Sequence, residues 1–370
     1  MPEELSRKQA FMVLNGLPKM GPITLNRLLE LCDNDPVAVL AAPASRLRDA
    51  KRVGAAVTDS ITSWRQHFDL VREEERLADA GAVFVTCQDD EYPKQLLEIS
   101  DPPIGLYFRG SYRCADKCIA VVGSRRATLY GRSVAKKFGS ELARLGFCVV
   151  SGLARGIDTA AHEGALEVDG KTAAVLGCGL DIIYPPENLE LYRRITESGA
   201  VISEFPFGRR ADRQSFPMRN RVVAGLCEGV IVVESDNTGG AMITARFAGE
   251  QGRHVFAVPG RIDQPTSRGC HSLLRDGATL VTGIEDVLQE LNYLGGLHFN
   301  PRNDEPIIPD DLSEDEARIF ECFRGGSVLG PDSLAGLTGQ AITEVSSALM
   351  MLELKRHLRK RSDGNYEQAG

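Results

Sequence analysis

The 370-residue sequence predicts an α/β fold with a doubly wound, mostly parallel sheet, a small N-terminal helical domain and a C-terminal winged-helix domain. Between residues about 80 and 297, short β-branched runs alternate with amphipathic stretches of helical length. Each run is apolar throughout, so both faces of each strand need cover, which the intervening helices provide. The runs are residues 118–122, 147–150, 172–176, 200–202, 229–233 and 254–258.

Helical periodicity characterises residues 1–75. Apolar side chains recur at helical spacing from Leu25 to Cys32 and again from Ile61 through Trp64 and Phe68 to Val71, which predicts one helix in each stretch. The two-glycine turn at residues 15–22 resembles a helix-hairpin-helix turn. Its free N–H groups at a helix start can hold a DNA phosphate, and a structural connector is the alternative.

The C-terminal part begins after an acidic, proline-containing segment. Residues 300–316 hold seven acids, one arginine and three prolines, which is typical of a linker. A capping box of Ser313 and Glu316, helices near residues 331–334 and 342–354, and a hairpin around 362–365 predict a small winged helix. The predicted domains are 1–75 (helical), 76–297 (sheet), 298–312 (linker) and 313–370 (winged helix).

Composition excludes several classes of protein. The 43 Lys and Arg against 51 Asp and Glu give a net charge of −8, which argues against coating DNA through bulk positive charge. We expect no membrane span and no signal peptide, because no 18-residue apolar run occurs and the first ten residues are polar. Nine scattered cysteines indicate reduced thiols and a cytoplasmic location.

Ligands of parallel sheets bind where strands end, so the strand-to-helix loops are the candidate site. The loop after residue 122 combines a glycine that permits close approach, a serine donor and an arginine that can grip a phosphate; it predicts an anion site. The loop at 151–158 repeats this inventory. Residues 205–221 carry five Arg against one Asp with three Phe, as a single-strand binder requires. Glycines open the helix at 239–240.

Asp158 and His162 lie four residues apart and suggest an acid–base pair. The alternative is that Asp158 orients the loop while His162 is its partner on the helix surface. Other catalytic signatures are missing from the sequence: it has no GxGxxG, P-loop, GxSxG or HExxH motif and no clustered metal ligands. We therefore expect no cofactor, no metal and no enzymatic activity.

Eight segments together resemble the DNA-processing protein A (DprA/Smf) family. In chain order they are VGSRRATLYG, VVSGLARGIDTAAHEGAL, AVLGCGLDIIYPPEN, ISEFP, FPMRNRVVAGL, TGGAMITA, HVFAVPG and GCHSLLRDGA. The resemblance spans nearly the whole sheet domain, and the joint occurrence of SGLARGID, RNR and VPG is highly specific. It implies a Rossmann-like domain, often with an N-terminal helical and a C-terminal winged-helix domain.

The resemblance also implies a function. Family members are non-enzymatic, bind and shield single-stranded DNA, load the RecA recombinase during natural transformation, and dimerise through the Rossmann-like domain. Their DNA pocket uses the residues that match Arg125 and Asn220. Where members often carry Lys after Tyr-Pro, this chain has Pro186 and Glu187, which removes a positive charge from the rim.

The expected site follows from the loops and the resemblance. DNA phosphates are expected against Arg125 and the N–H groups of the 123–124 and 151–152 loops, with Asn220 reaching a phosphate or a base edge. The predicted nucleic-acid-binding residues are Gly123, Ser124, Arg125, Ser151, Gly152, Arg155, Gly156, Arg219, Asn220 and Arg221. The predicted supporting residues are Asp158, His162, Gly239 and Gly240.

Two other functions stay open at this stage. Nucleotide phosphoribohydrolases share a Rossmann-like fold, but their PGGxGTxxE loop corresponds here to residues 237–244, where the required Glu is missing. A winged-helix regulator that reads duplex DNA is the other alternative. Its cationic footprint would be Lys355, Arg356, Arg359, Lys360 and Arg361.

Overall fold

The computed structural model describes residues 5–111, 117–295, 312–323, 329–361 and 364–368. The chain forms two compact units, Met1–Asn300 and Pro301–Gly370, and each is presented by itself. The predicted linker at 298–312 lies outside the described residues except for Leu312.

Seven helices occupy the described part of the N-terminal segment. They are α1 (Arg7–Gly16), α2 (Pro22–Leu31), α3 (Pro36–Ala41), α4 (Ala44–Leu47), α5 (Ala55–Thr62), α6 (Trp64–His67) and α7 (Leu70–Asp79). The helix predicted from Leu25 is α2, and Cys32 caps its C-terminus. The single helix predicted from Ile61 to Val71 is wrong, because the chain is extended at Phe68 and Asp69 starts a new helix by accepting the Arg72 N–H.

Within the described residues of the first unit, nine strands form one sheet. They are β1 (Ala82–Thr86), β2 (Gly105–Gly110), β3 (Cys118–Val122), β4 (Cys148–Ser151), β5 (Thr172–Leu176), β6 (Ala200–Ser203), β7 (Gly229–Val232), β8 (His254–Ala257) and β9 (Thr279–Leu280). Their order is β1-β2-β6-β5-β4-β3-β7-β8-β9. The six predicted runs are β3 to β8, all parallel, whereas β1 and β2 extend one edge antiparallel.

The strand order reverses at β3, whose neighbours are β4 on one side and β7 on the other. Such a reversal opens a crevice beyond the carboxyl ends of the two strands, because the helices that follow them leave on opposite faces of the sheet. The site is therefore expected beside the loops that follow β3 and β7.

Helices cover both faces of this sheet, as the apolar strands require. They are α8 (Leu129–Arg144), α9 (Ile157–Leu166), α10 (Leu189–Ser198), α11 (Ser215–Gly225), α12 (Gly240–Glu250), α13 (Arg268–Arg275) and α14 (Ile284–Gly295). Residues of α8, α9 and α14 share one core, and residues of α11, α12 and α13 share another. A third core joins the N-terminal helices to Phe84, Tyr107 and Val201 of the sheet.

The second unit contains α15 (Glu314–Glu321), α16 (Pro331–Thr338), α17 (Ile342–Leu354) and the antiparallel strands β10 (Leu358–Lys360) and β11 (Tyr366–Gln368). The predicted capping box is confirmed: Ser313 accepts the Glu316 N–H, and the Glu316 side chain accepts the Ser313 N–H. Three helices followed by a hairpin confirm the winged-helix prediction. Ser362 and Asp363 of the hairpin turn lie outside the described residues.

Candidate nucleic-acid interface

A cleft of about 420 Å³ opens at the point where the strand order reverses. The loops after β3, β4 and β7 and the first turns of α11 and α12 form its walls. Nine predicted site or supporting residues line it: Gly123, Ser124, Arg125, Gly152, Asp158, Arg219, Asn220, Gly239 and Gly240. The structure therefore brings together loops that are more than 100 residues apart in sequence.

Glycine is required where these loops approach one another. A Cβ at Gly123 would lie 2.8 Å from the Glu234 carbonyl oxygen, and one at Gly152 would overlap the Arg219 guanidinium. Gly156 has φ of +80°, and a Cβ there would overlap the Ser124 carbonyl oxygen. Glycine at these three positions thus lets the loops after β3 and β4 pack against each other and against Arg219.

Arg219 forms the buried floor of the cleft. Its Nη1 donates to the carbonyl oxygens of Gly152 and Val175, and its Nε donates to Asn220 Oδ1 at 3.1 Å. Burial lowers the pKa of Arg219, while the nearby Asp158 carboxylate opposes this shift. With only 5% of its surface exposed, Arg219 positions the surrounding groups and has little surface to offer a ligand.

Asn220 is held between two helices. Its Oδ1 accepts from Arg219, and its Nδ2 donates to the Gly240 carbonyl oxygen at 3.2 Å, at the start of α12. Because both ends of the amide are oriented, the second Nδ2 hydrogen has a fixed direction. Asn220 is 9% exposed and contributes this group to the cleft wall.

Asp158 orients the loop after β4. Its Oδ2 accepts from the N–H groups of Gly152 at 3.1 Å and Ala154 at 3.3 Å. Burial raises its pKa, and the positive charge of Arg219 opposes that effect. The loop-orienting alternative for Asp158 therefore agrees with the geometry.

His162 is neither a surface residue nor part of the cleft lining. It is fully buried, and its Nδ1 lies 2.7 Å from Thr172 Oγ1. The Thr172 hydroxyl donates to the Val149 carbonyl, so His162 Nδ1 carries the proton and donates to Thr172. Burial, reinforced by Arg219, lowers the pKa of His162 to about 3. The predicted surface partnership with Asp158 is wrong, because the ring points into the protein interior.

The expected binding of phosphate by backbone N–H groups needs correction. The Ser124 N–H donates to the Glu234 carbonyl at 2.7 Å, and the Gly152 N–H donates to Asp158. Ser151 is fully buried, and its hydroxyl donates to the Val121 carbonyl at 2.7 Å. These three groups are therefore already engaged in holding the loops together.

Arg221 lies outside the cleft lining, although it is two residues from Arg219. Its Nη2 pairs with Glu204 Oε1 at 2.5 Å and its Nε with Asp101 Oδ2 at 3.2 Å. Its side chain is only 3% exposed. Burial raises the pKa of Glu204, and the Arg221 charge opposes that shift. The predicted DNA contact of Arg221 is therefore replaced by a buried ion pair.

Arg125 and two aromatic rings form the rim. The Arg125 guanidinium lies 4.8 Å from the Phe216 ring centre, and the Tyr184 ring centre lies 5.8 Å from that of Phe216. The three Phe of residues 205–221 were predicted to favour single-strand binding, but neither Phe216 nor Tyr184 was among the predicted site residues. These two rings could not be assigned because the sequence does not show where the segments that carry them lie relative to β3.

Arg155 stands on the same rim but is already paired. Its Nε forms an ion pair with Glu187 Oε1, and both side chains are about half exposed. The hydrogen bond from Arg155 lowers the pKa of Glu187. Glu187 thus adds a negative charge to the rim. It also neutralises Arg155, which lines the same small pocket as Arg125 and Phe216.

Two lysines of α8 are also compensated by acids. Lys136 pairs with Glu167 at 2.7 Å and Lys137 with Glu141 at 3.8 Å, both along the flank of α8. Arg126 and Asp236 line the cleft and were not assigned from sequence. Among the charged residues that line the cleft, Arg125, Arg126 and Asp236 are exposed, whereas Arg219 and Asp158 are buried.

The two-glycine turn at residues 15–22 packs against the sheet unit. Asn15 Nδ2 donates to the Glu204 carbonyl at 2.8 Å, and a Cβ at Gly16 would overlap the Phe68 ring. These contacts fit the structural-connector alternative.

In the described residues, no group of three or more His, Cys, Asp or Glu side chains could hold a metal ion. No helix there is long and apolar enough to cross a membrane.

Comparisons with known proteins match both units. Residues 83–292 match the family model described as DNA recombination-mediator protein A, and residues 304–364 match the DprA winged helix domain. The chain is 33% identical to protein Smf of Synechocystis over 94% of this chain and 96% of that protein.

Similar solved structures include two DNA processing proteins. DNA processing protein A from Streptococcus pneumoniae is 35% identical, with a TM-score of 0.66 over 78% of this chain and 98% of that one. DNA processing protein A from Helicobacter pylori, whose structure was described for its single-stranded DNA binding mode, is 32% identical. Its TM-score is 0.52, over 57% of this chain and 96% of that one. The chain therefore belongs to the DNA recombination-mediator protein A (DprA/Smf) family, whose members are DNA-binding mediators of recombination and not enzymes.

Proposed function

We propose that this protein binds single-stranded DNA in the cleft beside β3, shields it, and loads a RecA recombinase onto it during natural transformation. The observation that carries the proposal is the meeting of Arg125, Phe216 and Asn220 at one opening. A single strand offers phosphates to a cation, base faces to an aromatic ring, and base edges to an oriented amide. The H. pylori relative, which binds single-stranded DNA, supports the same assignment.

Each group has a distinct role in this proposal. Arg125 grips a phosphate, because its side chain is exposed and the planar guanidinium matches the geometry of two phosphate oxygens. Phe216 offers its ring to a base, and Asn220 donates its Nδ2 hydrogen to a phosphate or a base edge. Gly239 and Gly240 allow the strand to approach the start of α12, where no side chain caps the helix.

These contacts use the backbone and the π-face of bases, which all nucleotides share. We expect binding that is largely independent of sequence and that weakens steeply with salt, because bound phosphates release counterions. The net charge of −8 does not conflict with this, since the proposed site is a local cationic opening.

The proposal extends to partners and domains. We propose a homodimer formed through the sheet domain, which spans residues 76–297, and a cytoplasmic complex with RecA. Residues 1–75 would act as a helical accessory domain attached to the sheet, and residues 313–370 as a winged-helix accessory.

A gel-shift series tests the function directly. Oligo-dT and a duplex of the same length are compared, each with and without RecA. We expect preference for the single strand and a slower-migrating ternary complex that requires the protein, the strand and RecA. Equal or greater affinity for the duplex would contradict the DNA assignment. Loss of the protein's DNA complex without any RecA-containing species would contradict the loading role alone.

A further inference from the structure

Helix α17 occupies the position of the recognition helix in a winged helix-turn-helix, where basic and polar side chains normally read a duplex. Between Ile342 and Leu354 it contains no Lys or Arg and has two acids, Glu344 and Glu353. Of the cations that surround it, Lys355 pairs with Glu316, and both Arg359 and Arg361 pair with Glu367. The helix is poorly suited to a phosphate backbone.

The outer face of α17 is apolar at one end. Val345, Ala348, Leu349 and Leu352 point into the core of the unit. On the opposite side Met350 and Leu354 are 63% and 67% exposed. Ordinary surface helices place charged residues there, so this uncovered pair of large apolar side chains is a candidate contact surface.

The same face carries small side chains in its first half. Thr343, Ser346 and Ser347 are exposed and lie at helical spacing from Met350 and Leu354. An antiparallel pairing of two such helices about a twofold axis places the large half of each against the small half of the other. The face is therefore complementary in size to itself, as an isologous interface requires.

Charge is complementary in the same arrangement. Glu344 stands in the first turn, and Lys355 and Arg356 directly follow the last turn. Eleven residues separate Glu344 from Lys355, which is about three turns, so both lie on the same flank of the helix. In an antiparallel pair, residues of one flank face the same flank of the partner. Each Glu344 would then lie near Lys355 of the other copy and share that cation with Glu316, its partner within the unit.

We propose that α17 is a self-association surface that docks antiparallel on α17 of a second copy of this chain. A pair of 13-residue helices buries less area than a standard stable interface, so the contact is weak between free molecules. It becomes effective when two copies are held together, because tethering raises their effective concentration. The inference rests on the proposed dimer of the sheet domain, which holds the two copies together, and does not depend on the proposed cleft.

Photo-crosslinking of the full chain tests this pairing. Met350 is replaced by benzoylphenylalanine, and ¹⁵N-labelled and unlabelled protein are mixed before irradiation so that crosslinks between copies are recognised by mass. We expect a mixed-isotope crosslink from position 350 to residues 343–347. Crosslinks to any other region, or none between copies, would overturn the proposal.

Charge reversal tests the register with the same readout. We expect Glu344→Lys and Lys355→Glu each to lower the yield of that crosslink several-fold, and the double variant to restore it. Val71→Asp is the control, because it adds a charge at an exposed apolar residue of the other unit, and it is expected to leave the yield unchanged. Failure of the double variant to restore the crosslink, with all variants folded by circular dichroism, would refute the antiparallel pairing.

Discussion

The guanidinium of Arg125 lies 4.8 Å from the ring centre of Phe216, so the groups proposed for phosphate and base are in contact before DNA is bound. A base that stacks on the face of the ring that Arg125 covers must take the position of the guanidinium. The displaced Arg125 is then available to the adjacent phosphate. Stacking and phosphate binding are therefore expected to occur together, and Arg125 and Phe216 are separable only by their salt dependence.

Arg125→Ala is expected to weaken oligo-dT binding and to flatten its salt dependence. Removal of one phosphate contact reduces the slope of log K against log salt by about 0.7 for a single strand. Fluorescence anisotropy at several salt concentrations measures both quantities. Arg246→Ala is the control, since Arg246 is exposed on α12 and pairs with Glu250. Unchanged affinity in the Arg125 variant would refute its phosphate role.

Phe216→Leu is expected to weaken binding by about 1–3 kcal/mol, the usual contribution of one stacked base, and to leave the salt slope unchanged. The same titration separates this from the effect of Arg125. Phe205→Leu is a matched control from the segment before α11, because Phe205 is buried and does not line the cleft. A salt slope that falls as much as in Arg125→Ala would argue against stacking.

Glu187→Gln is expected to strengthen single-strand binding, because Arg155 loses its partner and becomes available to a phosphate. Glu187→Lys should strengthen it further and make the salt slope steeper, since it adds a cation to the rim. Glu190→Gln is the control: Glu190 is an exposed acid of α10 that pairs with Arg193 at 3.5 Å. If both Glu187 variants bind like the control, the rim at Arg155 is not on the DNA path.

Arg221→Met is expected to lower the free energy of unfolding by about 3–5 kcal/mol, because it leaves the Glu204 carboxylate buried without its cation. The double variant Arg221→Met, Glu204→Leu should recover most of that loss, since it removes both charges. Urea unfolding followed by circular dichroism measures the difference. Both proteins, where folded, should bind oligo-dT normally. A large loss of affinity without loss of stability would restore Arg221 to the DNA site.

His162 predicts a pH dependence of stability. Its pKa is lowered to about 3 in the folded state against about 6.5 when unfolded. Below pH 6.5 the unfolded chain binds a proton that the folded one does not, so stability falls by up to about 1.4 kcal/mol per pH unit towards pH 3. Other buried acids contribute too, so the informative quantity is the difference between the wild type and His162→Gln. The free energy of unfolding of the wild type minus that of His162→Gln should shrink from pH 7.5 to pH 5. A difference that stays constant over this range would contradict a neutral buried ring.

The predicted strands were correct where the sequence pattern reports burial on both faces. The runs now seen as β3 to β8 are surrounded by helices, and continuous apolar sequence follows from that environment. The antiparallel strands β1 and β2 were missed because they extend one edge of the sheet. No crossover helix joins them, so the alternation of strand and helix that predicts β3 to β8 is lacking there. The helix drawn through Phe68 was wrong because apolar spacing persists across a break that Asp69 enforces by capping α7.

The sequence by itself determined the class of fold, the family and the loops that form the site, because strand ends and glycine positions are local properties. Only the tertiary structure decided which charges face the cleft. Arg219 and Arg221 are two residues apart on α11, so they point to nearly opposite sides of the helix. One meets the carbonyls of Gly152 and Val175, and the other meets Glu204 and Asp101. Those partners come from distant parts of the chain, and no local pattern records which of them an arginine will find.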